Sequence, residues 1–315
     1  MDIQEYRRQV EEELEREAAS ASLESVGSDA DPVSTAADPS ASGERRIRAI
    51  RELAGSAREN RAEIEILLRL LRSDSEPPAV RLAALGALGQ LQFTSPLFNE
   101  MRPEFIDTLR SAVDASDEEV RTRVLETLAQ HKDEYAQRRL LAGLRGEEPP
   151  LVPEQKAIQF LGYDIHAEHY PLLREIVERS DSPGVRREAV RLLSSDPTAV
   201  EILGRVFQDR TEHHEVRRAA AGALATLAPQ DLEGRAKEVA LDPGEAPALR
   251  ATSLTALEHF GNPAALEADQ EFLERLDAGA ARTAITEESM DLGSGPAATE
   301  LDQAISRFKG RFGRK

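Results

Sequence analysis

Apolar residues recur along this chain at spacings of three and four positions, the pattern of side chains that share one face of an α-helix. One set of these stretches begins with a fixed motif: Val-Arg, a small residue at the fifth position and leucine at the ninth. Val80 to Leu88 and Val216 to Leu224 are clear copies. A motif that returns every 31 to 40 residues predicts an array of one structural unit rather than a single closed core.

Alignment on the small residue and the leucine gives seven copies of the motif. They begin at Arg45, Val80, Val120, Pro153, Val185, Val216 and Leu249. A second apolar periodic stretch lies between successive copies, and turns rich in Ser, Asp and Pro separate the two. Each unit is therefore expected to be a helical hairpin. The predicted fold is all-α, an α-α superhelix or solenoid of about seven hairpins.

Composition supports this fold and restricts the function. Aromatic residues make up only 4% of the chain and tryptophan is absent, so alanine and leucine must supply the packing. A formal net charge of −18 argues against a nucleic-acid-binding protein, which would need a basic face. There are no cysteines, no secretory signal and no long apolar run, so we expect a cytoplasmic protein without disulfides.

A hairpin of about 30 residues with Asp in the turn and Val-Arg at the start of the second helix resembles the HEAT repeat family. The resemblance is to the short bacterial type first associated with phycobilin lyases, and it covers roughly residues 44 to 288. It implies that the second helices line a concave face, with turn aspartates and helix arginines forming a ladder between neighbouring repeats. The implied ladder residues are Arg46, Arg81, Arg121, Arg186, Arg217, Arg250, Asp74, Asp117 and Asp181.

A structural role explains one arginine in each repeat without any ligand, because a charge-assisted hydrogen bond to a neighbouring turn is sufficient. The alternative is a stripe that binds phosphate or acidic groups. The fourth repeat departs from the pattern, since Pro153 and Glu154 replace Val-Arg. We expect the lost ladder contact to weaken or bend the array, either as a tolerated degenerate repeat or as a hinge or docking discontinuity. Residues 93–103 are expected to form a longer connector.

The two ends of the chain differ from the array in composition. Residues 1–43 are expected to form a charged N-terminal helix followed by a disordered Ser/Ala/Asp linker, and residues 44–288 the array. Residues 289–315 are expected to be a flexible linker and a basic amphipathic tail, which docks on the array, on a partner protein, or on a membrane or nucleic acid. Its candidate binding residues are Leu301, Ile305, Arg307, Phe308, Lys309, Arg311, Phe312, Arg314 and Lys315.

No motif in the sequence indicates catalysis. The two histidine groups, His166 with His169 and His213 with His214, lie in polar turns, where solvated residues are ordinary, so no metal site, catalytic residue or cofactor is predicted. The predicted function is a non-catalytic protein–protein interaction scaffold or adaptor. The alternative is a phycobilin lyase or isomerase subunit, followed by a membrane or nucleic-acid adaptor that works through the basic tail. The residues do not identify the partner.

Overall fold

The computed structural model describes residues 31–276 and 296–313, and the regular structure within these ranges is entirely helical, which confirms the all-α prediction. The helices are α1 Pro32–Ala37, α2 Gly43–Ser56, α3 Arg61–Arg72, α4 Pro78–Thr94, α5 Leu97–Ser111, α6 Glu118–Gln130, α7 Glu134–Leu144, α8 Glu154–Leu161, α9 Tyr170–Arg179, α10 Pro183–Leu192, α11 Val200–Gln208, α12 His214–Leu227, α13 Pro229–Leu241, α14 Pro247–Phe260, α15 Pro263–Ala268, α16 270–276 and α17 Pro296–Phe312.

Helices α1 to α14 pair as seven successive hairpins in the described chain. Their second helices are α2, α4, α6, α8, α10, α12 and α14, and each coincides with one of the seven predicted motif copies. The described residues form two compact units, which divide between Ala136 and Gln137. In the first unit α4 packs against α2 and α3, and in the second α12 packs against α10 and α11.

The motif recurs because its positions form the core of each unit. Val216, Ala220 and Leu224 of α12 are fully buried, as are the corresponding residues of α4. The small residue at the fifth position lets neighbouring helices approach closely, and the branched residues around it fill the remaining space. Alanine and leucine therefore supply most of the packing, as the composition indicated.

Helix α1 corrects the predicted linker. Asp31 caps this helix by accepting hydrogen bonds from the backbone N–H groups of Val33 and Ser34, and Ala36 is fully buried. The prediction of a disordered linker is therefore wrong for residues 32–37, because a cap and tertiary contacts order a segment whose composition alone would not. The predicted N-terminal helix lies outside the described residues.

The predicted connector over residues 93–103 is also corrected. Helix α5 begins at Leu97, and both Phe98 and Met101 are buried within it, with their neighbour Phe105 in edge-to-face contact with Phe98 at 5.1 Å. The 40-residue spacing therefore comes from two long helices, α4 with 17 residues and α5 with 15.

The C-terminal helix α17 packs against α14 and α15. The Phe308 ring centroid lies 5.8 Å from that of Phe272 and 4.7 Å from that of Phe312, and Arg311 lies 3.7 Å from Glu258. Docking on the array is thus the alternative that the structure shows for this tail. A terminal helix of this kind covers the last apolar face of a repeat array.

Docking of α17 on the array corrects the predicted binding site in the tail. Four of its residues are buried and unavailable to a partner, so their assignment as partner contacts is wrong: Leu301, Ile305, Phe308 and Phe312. Arg307 is exposed, Lys309 is partly exposed and Arg311 is half-exposed, whereas Arg314 and Lys315 lie outside the described residues. None of the described helices combines the length and apolar character needed to cross a membrane.

The docked tail predicts a stability effect. Phe308→Ala should lower the free energy of unfolding by about 3–5 kcal/mol, because it opens a cavity between α17 and the array. Urea unfolding followed by circular dichroism measures this loss in the transition that includes α14 and α17. The matched control Arg307→Ala, at an exposed position of the same helix, should stay within about 0.5 kcal/mol of the parent protein. Equal midpoints for both variants would contradict the docking.

Candidate interaction surface

The ladder arginines cap the helices that precede them. The last carbonyl groups of an α-helix have no partner within the helix, and a guanidinium group can supply one. In four hairpins the arginine Nε donates to the carbonyl ten residues earlier, which belongs to the penultimate residue of the first helix. These pairs are Arg46 to Ala36 at 3.0 Å, Arg81 to Leu71 at 3.0 Å, Arg217 to Phe207 at 2.8 Å and Arg250 to Ala240 at 3.0 Å.

Glutamates connect three of the predicted ladder arginines to the next hairpin. Arg46 pairs with Glu76 at 2.7 Å, Arg186 pairs with Glu212, and Arg217 makes two hydrogen bonds to Glu245, at 2.8 and 2.5 Å. Each glutamate lies five residues before the ladder arginine of its own hairpin. This constant offset is the sequence signal that could have identified the acidic partners.

The predicted aspartates have other roles, which corrects the predicted ladder. Asp74 pairs with Arg81 of the same hairpin at 2.7 Å, and Asp117 caps α6 by accepting from the Val120 N–H at 2.9 Å. The Asp181 side chain is exposed and makes no hydrogen bond or ion pair with the described residues. Arg121 donates to the carbonyl of Ala115 at 2.6 Å. The bonds of Arg46, Arg186 and Arg217 to the next hairpin come from glutamates instead.

Two of the ladder arginines are equally buried but differ in their carboxylate partners. Arg217 and Glu245 are both almost completely buried. Burial by itself would raise the pKa of Glu245, but hydrogen bonds from Arg217 and from the Ala246 N–H outweigh it, so the pKa lies below its ordinary value. Arg250 is equally buried, yet its Nη2 has no hydrogen-bond partner among the described residues, and burial lowers its pKa.

The fourth repeat keeps the ladder contact with reversed charge. Glu154 occupies the arginine position, and Arg179 from the end of α9 donates both to Glu154 at 3.0 Å and to the Leu144 carbonyl at 3.1 Å. Leu144 lies ten residues before Glu154 and ends α7, so Arg179 caps the carbonyl region that a ladder arginine would have reached. The expected loss of a ladder contact at this repeat is therefore wrong.

A cavity of about 470 Å³ lies beside this charge-reversed pair. Its apolar wall includes Leu140, Leu144, Val152 and Leu172, all of them largely buried, and Arg179 and Glu154 border it. The hinge and the docking discontinuity suggested by the sequence of this repeat stay predictions.

The histidine pairs do not assemble a metal centre in the described part of the chain. His169 is buried, and its Nδ1 accepts a hydrogen bond from the His166 backbone N–H at 3.2 Å. Burial, helped by the neighbouring His166, lowers the pKa of His169, which favours the neutral ring. His213 accepts from the Glu215 N–H at 3.3 Å and so caps α12.

A groove of about 610 Å³ lies along the second helices α12 and α14. We call it the second-helix groove. Its floor consists of small side chains, including Ala219, Gly222 and Ala225 of α12 and Thr252, Thr255 and Ala256 of α14. Arg218 and Phe260 also line it, and about half of the Phe260 surface is exposed. The repeat motif does not identify any of these residues as binding residues, because they lie outside its fixed positions.

Basic side chains dominate the exposed charges on the second helices around this groove, although the whole chain is acidic. Lys156, Arg191 and Arg218 are exposed on α8, α10 and α12. Glu188 of α10 is buried instead. Burial opposes ionisation of Glu188, but hydrogen bonds from Gln159, Arg191 and Arg187 outweigh it and lower its pKa. The exposed charges on α8, α10, α12 and α14 are thus three basic side chains and one acidic side chain, Glu215, which pairs with Arg187.

Substitutions of the two buried arginines should lower the free energy of unfolding by different amounts. Arg217→Met should cost about 3–5 kcal/mol of unfolding free energy, because it leaves the buried Glu245 carboxylate without its partner. Arg250→Met should cost less, about 1–2 kcal/mol, because it removes the hydrogen bond to the Ala240 carbonyl but leaves no buried carboxylate without its partner. Chemical denaturation of the two variants measures both changes, and equal losses would contradict the assignment.

The charge-reversed pair predicts a rescue. Arg179→Met should cost about 1 kcal/mol, a value limited by the partial exposure of the pair. Adding Glu154→Arg should recover at least half of that loss, because a guanidinium at position 154 can donate to the Leu144 carbonyl as the other ladder arginines do. Thermal unfolding measures the recovery, and Glu154→Gln in the same background is the control. A double variant no more stable than this control would refute the capping role.

Comparison with known proteins agrees with this architecture. Residues 30–129 and 138–225 match the family described as HEAT repeats, and no curated protein matches the chain. Among solved structures, the chain is similar to the complex of CpcE and CpcF of phycocyanin lyase from Nostoc sp. PCC7120, with 18% sequence identity and a TM-score of 0.36 over 88% of this chain and 93% of that chain. A likeness at this level carries no argument about activity. The family match spans more than half of the chain and includes hairpins with capping ladder arginines, so the protein belongs to the HEAT repeat family.

Proposed function

We propose that this protein is a non-catalytic protein–protein interaction scaffold or adaptor, with the second-helix groove as a docking surface. Helical repeat arrays commonly bind other proteins along extended surfaces built from one set of helices. The volume of the groove is large enough to accept side chains of a partner, and it lies on the second helices of two successive hairpins.

The observation that carries the proposal is Gly222. This residue lies in the interior of α12, where glycine costs about 1 kcal/mol relative to alanine. A Cβ atom at this position would have no neighbour within 4 Å, so the fold has no steric need for glycine. Gly222 lines the groove floor, and its lack of a side chain keeps that floor open.

The ladder arginines support a scaffold over an anion-binding stripe. The Nε groups of Arg46, Arg81, Arg217 and Arg250 already donate to helix ends, and three ladder arginines pair with glutamates of the next hairpin. A basic ligand-binding row would need these groups to face outwards. The described part of the tail offers no apolar face to a membrane or nucleic acid, since Phe308 and Phe312 are buried within the second unit.

Affinity capture with two leucine variants tests the proposal. Gly222→Leu places a bulky side chain in the groove, whereas Gly234→Leu makes the same change on the exposed surface of α13, where a Cβ atom also has no neighbour within 4 Å. We expect proteins captured from the source cells by the parent chain and by Gly234→Leu to fall at least tenfold with Gly222→Leu. Identical captured sets for the two variants would argue against this docking surface.

A further inference from the structure

We propose that the occupant of the second-helix groove is an α-helical segment of a partner protein, with an acidic side chain opposite Arg218 and an apolar side chain against Phe260. This inference rests on the proposed scaffold function and adds the chemistry of the partner. Both residues line the groove, and neither is required for the packing of the core.

The secondary structure of the groove walls favours a helical partner. Extended peptides usually bind by adding a strand to the free edge of a sheet, where backbone groups are available. The groove walls are α12 and α14, whose interior N–H and C=O groups bond within their own helices. An extended segment would leave its own backbone groups unpaired in this groove, whereas a helix satisfies them internally.

The groove floor permits a helix to approach closely. Gly222, Ala219 and Ala225 on one side face Thr252, Thr255 and Ala256 on the other, and the open space above Gly222 is not filled by any neighbouring side chain of the protein. Small residues at a helix–helix contact reduce the distance between the two axes and so increase the packed area. The absence of a side chain at Gly222 would therefore let a partner helix pack closely against α12 at this point.

Charge selects an acidic residue on that helix. Arg187, at the groove edge, is already paired with Glu215 at 2.9 Å and Glu188 at 3.2 Å. Arg218 is exposed and makes no ion pair with the described residues, although Glu300 of α17 also lines the groove. Arg191 on the neighbouring helix α10 is paired with Glu188 at 3.0 Å, so Arg218 is the lining arginine that lacks an ion pair among the described residues. A carboxylate on the partner would complement this surface.

An apolar residue on the partner complements Phe260. This phenylalanine is the last residue of α14, and 51% of its surface is exposed. An exposed aromatic ring beside a groove is a characteristic anchor position in protein interfaces, because its burial removes a large apolar area from water. The combination of one acidic and one bulky apolar side chain therefore describes the binding face of the partner helix.

Selection from a displayed library of helical peptides tests this chemistry. The library places Glu, Lys or Ser at the polar positions of a fixed helical framework and varied apolar residues along one face, and the full-length protein is the target. We expect the selected peptides to combine Glu with a bulky apolar residue. They should bind the parent chain and Gly234→Leu equally, and Gly222→Leu and Phe260→Ser at least tenfold more weakly. Arg218→Glu should shift the selection from Glu to Lys.

Any of four results would overturn the inference. Three of them are a selected set without enrichment of Glu, an unchanged selection with Arg218→Glu, and stronger binding by extended proline-rich peptides than by helical ones. Competition by a synthetic peptide of residues 1–18 that is stronger than any selected peptide would identify the chain's own N-terminal segment as the occupant and also overturn it. The scaffold proposal fails separately, when Gly222→Leu leaves the capture of cellular proteins unchanged.

Discussion

The hydrogen bond between a ladder arginine and the end of the preceding helix joins the two helices of four hairpins, and Arg179 supplies a similar bond in a fifth. It occupies a carbonyl group that would otherwise be left without a partner in the interior, and it fixes the second helix against the first. Because the same guanidinium can also reach a glutamate in the turn of the next hairpin, one side chain connects two helices with that turn. The pair of Arg217 and Glu245 shows this arrangement in its most buried form.

The fourth repeat shows that the constraint acts on the helix end rather than on the residue type. Glu154 stands where an arginine is expected, yet Arg179 approaches from the following hairpin and donates to the Leu144 carbonyl. The requirement for a hydrogen-bond donor at the helix end is met by a different element with the opposite arrangement of charges. A departure from a repeat motif can therefore leave its physical role intact, provided that a neighbour supplies the same chemical group.

This division of roles directs function to the remaining positions of the second helices. Arg218 directly follows the ladder arginine Arg217 and points to the groove instead of the interior. Gly222 lies five positions after Arg217, and Gly86 has the same place relative to Arg81 in the first unit, where a Cβ atom would also have no neighbour within 4 Å. The fixed positions of the motif build the fold, and the variable ones between them are free to define a binding surface.

The sequence by itself determined the all-α class and the seven second helices, because buried positions repeat with a fixed spacing that is visible without coordinates. It did not determine the acidic partners, helix α1 or the docked position of α17. The contacts of Glu245 with Arg217 and of Phe308 with Phe272 join residues that are distant along the chain, and that of Arg46 with Ala36 joins two different helices, so composition does not encode them. The second-helix groove likewise exists only once α12 and α14 lie side by side, since its floor is made of residues whose types are unremarkable alone. Tertiary structure decided these features because they depend on which surfaces meet, and local propensity does not specify that.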